Sequence, residues 1–387
     1  MTKKNSPYIL MLTKWYPYDK DPQFGVFIQK QARAISLYKE IVVYASHAHD
    51  EAGRPAFELQ MVRSGDLTEY IMYYRKSRSF LSPLINAIHY IRAWNKSFTI
   101  IHKNHGIPET VHAYILLRPA IIAYRLSRRF RIPLVISEQW SGYTNGKFEQ
   151  RLCLIRILSK YFFKKADERI AVSNFLKSSM EKLGFSKPIN IVPNIIEIQD
   201  PPESLTRNDK IQILLVADLV DEIKNISGTI RAFTEAKKSM PNIYLKIIGH
   251  GKDAEMLKDL CSTLQLTEEN IKFEGLQSNK EVYKALWNCD FLLMNSRFET
   301  FSLICAEALS CGKPVVATKC GGPESFINED NGLLIPINDD AALCSAIIYM
   351  AENYQNYSPE KLREQSRNKF SPETVGAQLC TIYNKIN

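Results

Sequence analysis

No stretch of this 387-residue chain approaches the eighteen consecutive apolar residues that a membrane-spanning helix needs, so no transmembrane segment is expected. No N-terminal segment joins a basic start, an apolar run and a small-residue cleavage site. Met1-Thr2-Lys3-Lys4 runs instead toward Tyr8-Ile9-Leu10-Met11-Leu12, which reads as a first strand. The eight cysteines lack a CxxC pair or regular spacing, which argues against a zinc site or disulfide framework and for reduced thiols in a cytoplasmic setting. Repeats and low-complexity tracts are absent. Ile247-Ile248-Gly249-His250-Gly251 lacks the third glycine of a dinucleotide fingerprint and reads as a tight turn. Asp19-Lys20-Asp21 has the form of a metal motif but sits in a polar turn, so no metal is expected there.

What is present is an ordinary globular composition, 45% hydrophobic and 24% charged, with length for two domains. The net charge of +9 is unevenly placed. Residues 1–200 carry 30 Lys and Arg against 16 Asp and Glu, whereas residues 201–387 carry 20 against 25. Basic patches stand at Arg75-Lys76-Ser77-Arg78, at Arg125 to Arg131, and at Arg151 to Lys165, where basic and apolar residues alternate at helical spacing. Such a half suits an acidic substrate or peripheral contact with an anionic membrane, including the inner face of the plasma membrane. No nucleic-acid motif accompanies the charge, and no nucleic-acid partner is expected.

Strand and helix candidates alternate along both halves. The first has Ile9–Leu12, Ile41–Tyr44, Thr110–His112, Leu134–Ile136 and Ile170–Val172 as strands, with helices at Phe27–Leu37, Ala120–Arg129 and Asn174–Lys182, the last capped by Ser173. The second has Ile211–Val216, Tyr244–Ile248, Ile271–Phe273, Phe291–Met294 and Val315–Ala317, each expected to lead into a helix. Alternation of this kind implies α/β, doubly wound parallel sheets. The polar, proline-containing run from Asp200 to Asp209 is the best linker.

The densest signal lies between Ser296 and Ile327. Glu299 and Glu307 have seven residues between them, the chain turns from loop to apolar helix there, and Val315-Val316-Ala317 leads to Gly321-Gly322-Pro323-Glu324. A loop that opens a helix beside a glycine pair favours an anion, because free N–H groups and the helix dipole meet there. This composite resembles the donor-site signature of the retaining nucleotide-sugar glycosyltransferases of family 4. Further likeness appears in Val192-Pro193-Asn194, in Val216-Ala217-Asp218-Leu219 through Lys224-Asn225, in Phe370-Ser371-Pro372-Glu373, and in Trp15-Tyr16-Pro17 through Gly25-Val26-Phe27.

The resemblance implies a GT-B arrangement of two Rossmann-like domains facing a central cleft. Residues 1–203 would bind the acceptor, 204–370 the donor, and 371–387 would form a helix crossing back to the first domain. It implies that Lys224 and Gly25 meet the donor diphosphate and that Glu307 meets the ribose hydroxyls. Glu299 would be catalytic through position and charge, and Phe301, Ser302 and Leu303 would offer backbone N–H groups. His112, Glu138 and Gln139 would lie near sugar or acceptor. Three departures stand out. Asp218 occupies the place of a usual arginine, Gln139 that of a usual histidine, and Ser302 that of a frequent glycine. Glutamine cannot shuttle a proton near neutral pH, so either the histidine is dispensable here, or His112 does related work, or activity is reduced.

The expected activity is transfer of a sugar from a UDP-sugar or GDP-sugar to a hydroxyl acceptor, with retention and without cofactor or metal. The acceptor expected is a surface polysaccharide or a lipid-linked glycan. Other readings of the same residues are a sugar-nucleotide-binding pseudoenzyme acting as a partner subunit, and a GT-B phosphorylase or epimerase.

Overall fold

A computed structural model describes residues 7–204 and 209–387. Met1-Thr2-Lys3-Lys4, and residues 205–208 of the expected linker, lie outside the described residues. The chain divides into two compact units. One takes in the residues up to Val172, then Lys177–Ile195 and Pro372–Asn387; the other holds Ser173–Leu176 and Ile196–Ser371.

In the first unit the order is β1 (Tyr8–Thr13), α1 (Val26–Ile35), β2 (Glu40–His49), β3 (Phe57–Ser64), β4 (Leu67–Arg75), α2 (Ser82–His105), β5 (Thr110–Tyr114), α3 (Arg118–Phe130), β6 (Leu134–Glu138), α4 (Cys153–Lys165), β7 (Glu168–Ala171), α5 (Asn174–Lys182) and β8 (Asn190–Ile191). The sheet order is β3-β4-β2-β1-β5-β6-β7-β8. Every pair is parallel except the β3–β4 hairpin at the edge. Strands β1, β5 and β6 are buried on both faces, as the middle of a sheet covered by helices requires, whereas the edge strand β3 is largely exposed.

The second unit runs β9 (Ile211–Val216), α6 (Asp221–Lys224), α7 (Ile226–Ser239), β10 (Ile243–Ile248), α8 (Ala254–Thr263), β11 (Ile271–Phe273), α9 (Asn279–Asn288), β12 (Phe291–Met294), α10 (Leu303–Ser310), β13 (Val315–Thr318), β14 (Gly332–Ile335), α11 (Asp340–Asn353) and α12 (Pro359–Phe370). Its six strands are all parallel, in the order β11-β10-β9-β12-β13-β14. That is the doubly wound order of a nucleotide-binding sheet. Ile213, Phe233, Leu245, Phe291 and Ile347 build its core, each fully buried.

Two features differ from the sequence reading. Between residues 45 and 109, where no strand or helix is expected, the structure has the β3–β4 hairpin and the 24-residue α2. Helix α2 buries Trp94 and Ile101 yet exposes Leu84, Ile88 and Ile91, so its apolar residues mark no single face. Strand β13 leads into a 3₁₀ turn at Gly322–Ser325 and then β14, not directly into a helix.

The terminal helix α13 (Pro372–Ile386) belongs to the first unit and packs with α1 through Val375, Leu379 and Tyr383. The Tyr383 hydroxyl lies 2.7 Å from His112 Nδ1, and His112 Nε2 lies 2.7 Å from Ser137 Oγ. His112 is therefore buried with both ring nitrogens engaged, and burial pushes its pKa down to about 3. A depressed histidine is neutral in the fold and takes up its proton on unfolding. Its stabilisation is complete above about pH 6.5 and is lost as the pH falls from there toward 3. Denaturant titrations should show His112 alone costing about 2 kcal/mol between about pH 6.5 and about pH 5. His112→Gln should flatten that slope; an unchanged slope would mean the ring is already protonated in the fold.

Candidate functional site

In the second unit β9 and β12 are neighbours in the sheet but not in the chain. The connections leaving them turn to opposite faces and open a crevice beyond the strand carboxyl ends. Three loops converge there: Ala217 to Lys224 after β9, Asn295 to Ser302 after β12, and Lys319 to Gly322 after β13. Lys224 Nζ lies 2.6 Å from Glu299 Oε1, and Ser296 Oγ donates to the same oxygen at 3.0 Å. Burial opposes charge on Lys224, but Glu299, with a smaller contribution from Asp218, outweighs it and holds the ammonium above the usual lysine range. The lysine is thus a fixed cation. A small cavity of about 20 Å³ adjoins the pair, with Val216, Ala217, Ser296 and Ile304 on its walls. Two larger hollows, about 660 and 720 Å³, lie elsewhere beside Asp209, Lys210 and Gln212, and no residue of the Glu299–Glu307 motif lines them.

The backbone explains why the motif takes this form. Glu299 N–H donates to Cys320 O at 3.2 Å, and Gly322 N–H donates to Glu299 O at 2.8 Å, so the acidic loop is laced to the glycine pair. Gly321 has φ 114°, and a Cβ there would stand 2.2 Å from the Phe175 ring, which excludes any side chain. Ser302 precedes α10 with φ 73°, a left-handed conformation more natural to glycine. Phe301 packs its ring on Phe326 and Phe370 at 5.3 and 5.4 Å, so its side chain belongs to the core and only its backbone faces the loop. Leu303 begins the helix, whose first-turn N–H groups have no intrahelical acceptor. Glu307, two turns along the motif, is half-buried, and its charge helps raise the Tyr283 phenol after burial. Cys311 and Cys320 are buried and pushed up to about 12 by that burial, as core thiols should be.

Arg297 is a residue that the sequence reading missed. Its backbone N–H donates to Ile223 O at 2.7 Å, and its guanidinium donates to Asp221 O, Asn225 Oδ1 and Asn338 Oδ1, each at 2.6 Å. It fastens the short helix α6 that carries Lys224, and places a cation at that helix's carbonyl end. The signal was present in Ser296-Arg297-Phe298-Glu299, but no spacing rule links an arginine to carbonyls seventy residues earlier.

The remaining candidates lie in the first unit. Gly25 stands before α1 with φ 70°, and a Cβ there would approach Trp15 C at 2.5 Å, so the loop fits only glycine. Glu138 is buried, and both oxygens are occupied. Oε1 accepts from Leu116 N–H at 2.5 Å and the Tyr143 hydroxyl at 3.2 Å; Oε2 accepts from Gln139 and Trp140 N–H at 3.1 and 3.3 Å. Burial raises its pKa, and these bonds offset part of the rise. Glu138 thereby ties the β5–α3 loop to the loop after β6. Gln139 is buried beside it, and His112 offers no free ring nitrogen.

Two family models match the chain. Glycosyltransferase Family 4 covers residues 37–200, and Glycosyl transferases group 1 covers residues 197–369. The chain belongs to the group 1 glycosyl transferases. This glycosyltransferase is 24% identical over 293 residues to the lipopolysaccharide core biosynthesis glycosyltransferase LpsD of Rhizobium meliloti, covering 69% of this chain and 82% of that protein. Its fold resembles sucrose-phosphate synthase of Thermosynechococcus elongatus with a TM-score of 0.74, 16% identity and 98% of both chains covered. It also resembles the Anabaena protein HepE in complex with UDP, with a TM-score of 0.72, 17% identity, and 98% of this chain and 100% of that one covered. These likenesses establish the GT-B fold. Among the described residues no cluster of His, Cys, Asp or Glu could hold a metal ion, and no helix is long and apolar enough to cross a membrane.

Arg297→Ala should lower the unfolding free energy by about 2 kcal/mol, since Asp221, Glu222 and Asn225 lose a charged donor together. Urea titration measures this. A loss under about 0.5 kcal/mol would show that α6 holds its place unaided.

Proposed function

We propose that this glycosyltransferase moves a sugar from a UDP-sugar or GDP-sugar to a hydroxyl acceptor with retention of anomeric configuration and without a metal. The observation that carries the reading is the Lys224–Glu299 pair at the point where the second sheet reverses strand order. A nucleotide diphosphate leaving group needs cations and aligned N–H donors where its charge develops. An ammonium has three donors, so Lys224 can keep Glu299 and still meet a phosphate oxygen. The first turn of α10 supplies backbone N–H groups on the same side of the loop. Glu299, held by Lys224 and Ser296, is placed to orient sugar hydroxyls and to favour positive character at the anomeric carbon. Glu307 would accept from the ribose diol. The neighbour crystallised with UDP favours uridine as the base.

The acceptor proposed is a surface glycan or a lipid-linked glycan, in keeping with the lipopolysaccharide core role in the name of the Rhizobium relative. The basic first half supports contact with an anionic membrane. Asp218 favours a second reading, a sugar-nucleotide-binding partner without turnover. It is exposed and close enough to Lys224 to influence its charge, where a diphosphate would be repelled.

A thermal-shift panel of UDP, GDP and ADP separates these. One base at a hundred times its dissociation constant should add about 2.7 kcal/mol of apparent stability. Glu307→Ala should remove most of that shift. Absence of a shift with every nucleotide would overturn the donor site. With the base known, a turnover assay in a chelator should keep its rate, and NMR of fresh product should show the donor's anomeric configuration. Binding without turnover on any acceptor would favour the partner reading.

A further inference from the structure

The first sheet has its own strand-order reversal, away from the Glu299–Glu307 motif. Strands β1 and β5 are adjacent there, with β6 next, and three cations stand just past their carboxyl ends. Lys14 follows β1 directly, Arg118 opens α3 after β5, and Arg151 precedes α4 in the connection after β6. We propose that Lys14, Arg118 and Arg151 form the binding site for a phosphate or diphosphate ester carried by the acceptor. The word acceptor rests on the transferase reading above; the anion site itself does not.

None of the three cations has an ion-pair partner among the described residues. Each is backed by an aromatic ring: Arg151 lies 4.0 Å from the Trp140 ring centre, Arg118 5.7 Å from Tyr90, and Lys14 6.0 Å from Trp15. The carboxylate nearest to hand, Glu138, is only 1% exposed and already accepts from four donors. It cannot turn outward to neutralise them. Lys14 feels both arginines. Burial first, and then Arg118 and Arg151, lower the Lys14 pKa, with Glu138 acting the other way. Like charges gathered without an ion-pair partner favour a multivalent anion.

The backbone is strained at the same place. Ile115 and Leu117, in the loop that delivers Arg118, have φ of 68° and 90°, outside the region that branched side chains prefer. Glu138 holds that loop through Leu116 N–H and the next through Trp140 N–H, so one buried carboxylate ties the loop before Arg118 to the ring over which Arg151 lies. Strain maintained by a dedicated clamp belongs to a ligand site more readily than to a solvated surface.

An apolar track begins where the cations end. Leu152, Leu154, Ile157 and Tyr161 are 74, 66, 57 and 42% exposed, and the last three share one stripe of α4. Beside the stripe a hollow of about 240 Å³ is walled by Ile157, Lys160, Tyr161, Phe163, Lys164 and Lys187. A charged head followed by an apolar strip fits a lipid-linked phosphate better than a soluble one.

Calorimetric titration with two probes, inorganic pyrophosphate and farnesyl diphosphate, tests both parts on the full chain. Wild type should bind both, with the lipid probe tighter. Lys14→Gln with Arg151→Gln should weaken both roughly ten-fold or more, since each lost contact is a charge-assisted hydrogen bond. Arg118→Gln should behave alike, and Arg118→Lys should restore part of the loss. Leu154→Ser with Ile157→Ser should weaken the farnesyl probe alone by several-fold. UDP or GDP binding should be unchanged throughout, which also reports an intact fold. Wild-type affinity in the cation variants overturns the site. Nucleotide affinity falling in step assigns these cations to the donor and overturns the acceptor assignment. Equal binding of both probes, insensitive to the serine changes, overturns the lipid part and leaves a soluble phosphate ester. Failure of wild type to bind any nucleotide would sink the proposed function while pyrophosphate binding still stood.

Discussion

A parallel strand must be re-entered from the end at which the previous one began, so every connection in such a sheet crosses a face through a helix. All strand carboxyl ends then lie along one edge, and the loops leaving them share it. Where chain order reverses, neighbouring loops diverge to opposite faces and the edge opens. In the second unit that opening lies between β9 and β12, and in the first between β1 and β5. Charged side chains stand at both places. Lys224 and Glu299 come from the loops after β9 and β12; Lys14 and Arg118 flank the other reversal.

The two openings are built on different electrostatic terms. In the second unit a lysine is matched by a glutamate at 2.6 Å, a serine hydroxyl completes the carboxylate, and Arg297 is spent on carbonyls that hold the lysine's helix. That site is preorganised and close to neutral, suited to a ligand whose charge is met partly by backbone N–H groups. In the first unit the carboxylate is turned inward, onto Leu116, Gln139, Trp140 and Tyr143, and Lys14, Arg118 and Arg151 have no ion-pair partner among the described residues. The same residue types therefore serve opposite ends. A buried acid can stabilise a loop or balance a cation, and which of the two it does depends on where its lone pairs are used.

Much of this was legible in the chain. The alternation of apolar runs and helical stretches implied two parallel α/β sheets, and the Glu299–Glu307 spacing with Gly321-Gly322 located the loops that meet at β12 and β13. The positive φ at Ser302 gives a physical reason for the glycine that the resemblance leads one to expect there. The span from 57 to 105 was not legible, because α2 shows nearly as much apolar surface as it hides. His112 drew attention as a histidine at a strand end. Its place between Tyr383 and Ser137 depends on a helix 271 residues away, which periodicity does not register.

By itself the sequence determined the local terms. It set the strand and helix periods, the positions that only glycine can occupy, the basic first half, and the spacing of Glu299 and Glu307. These follow from backbone sterics and nearest-neighbour chemistry, which read along the chain. The tertiary structure decided which charges meet. Lys224 reaches Glu299 across 75 residues, Arg297 closes on Asp221 across 76, and Glu138 withdraws from Lys14 to hold Leu116, 22 residues away. Such pairings depend on strand order and on competition among donors for a few buried oxygens. Both are properties of the packed sheet, and neither is written in the spacing of residues along the chain.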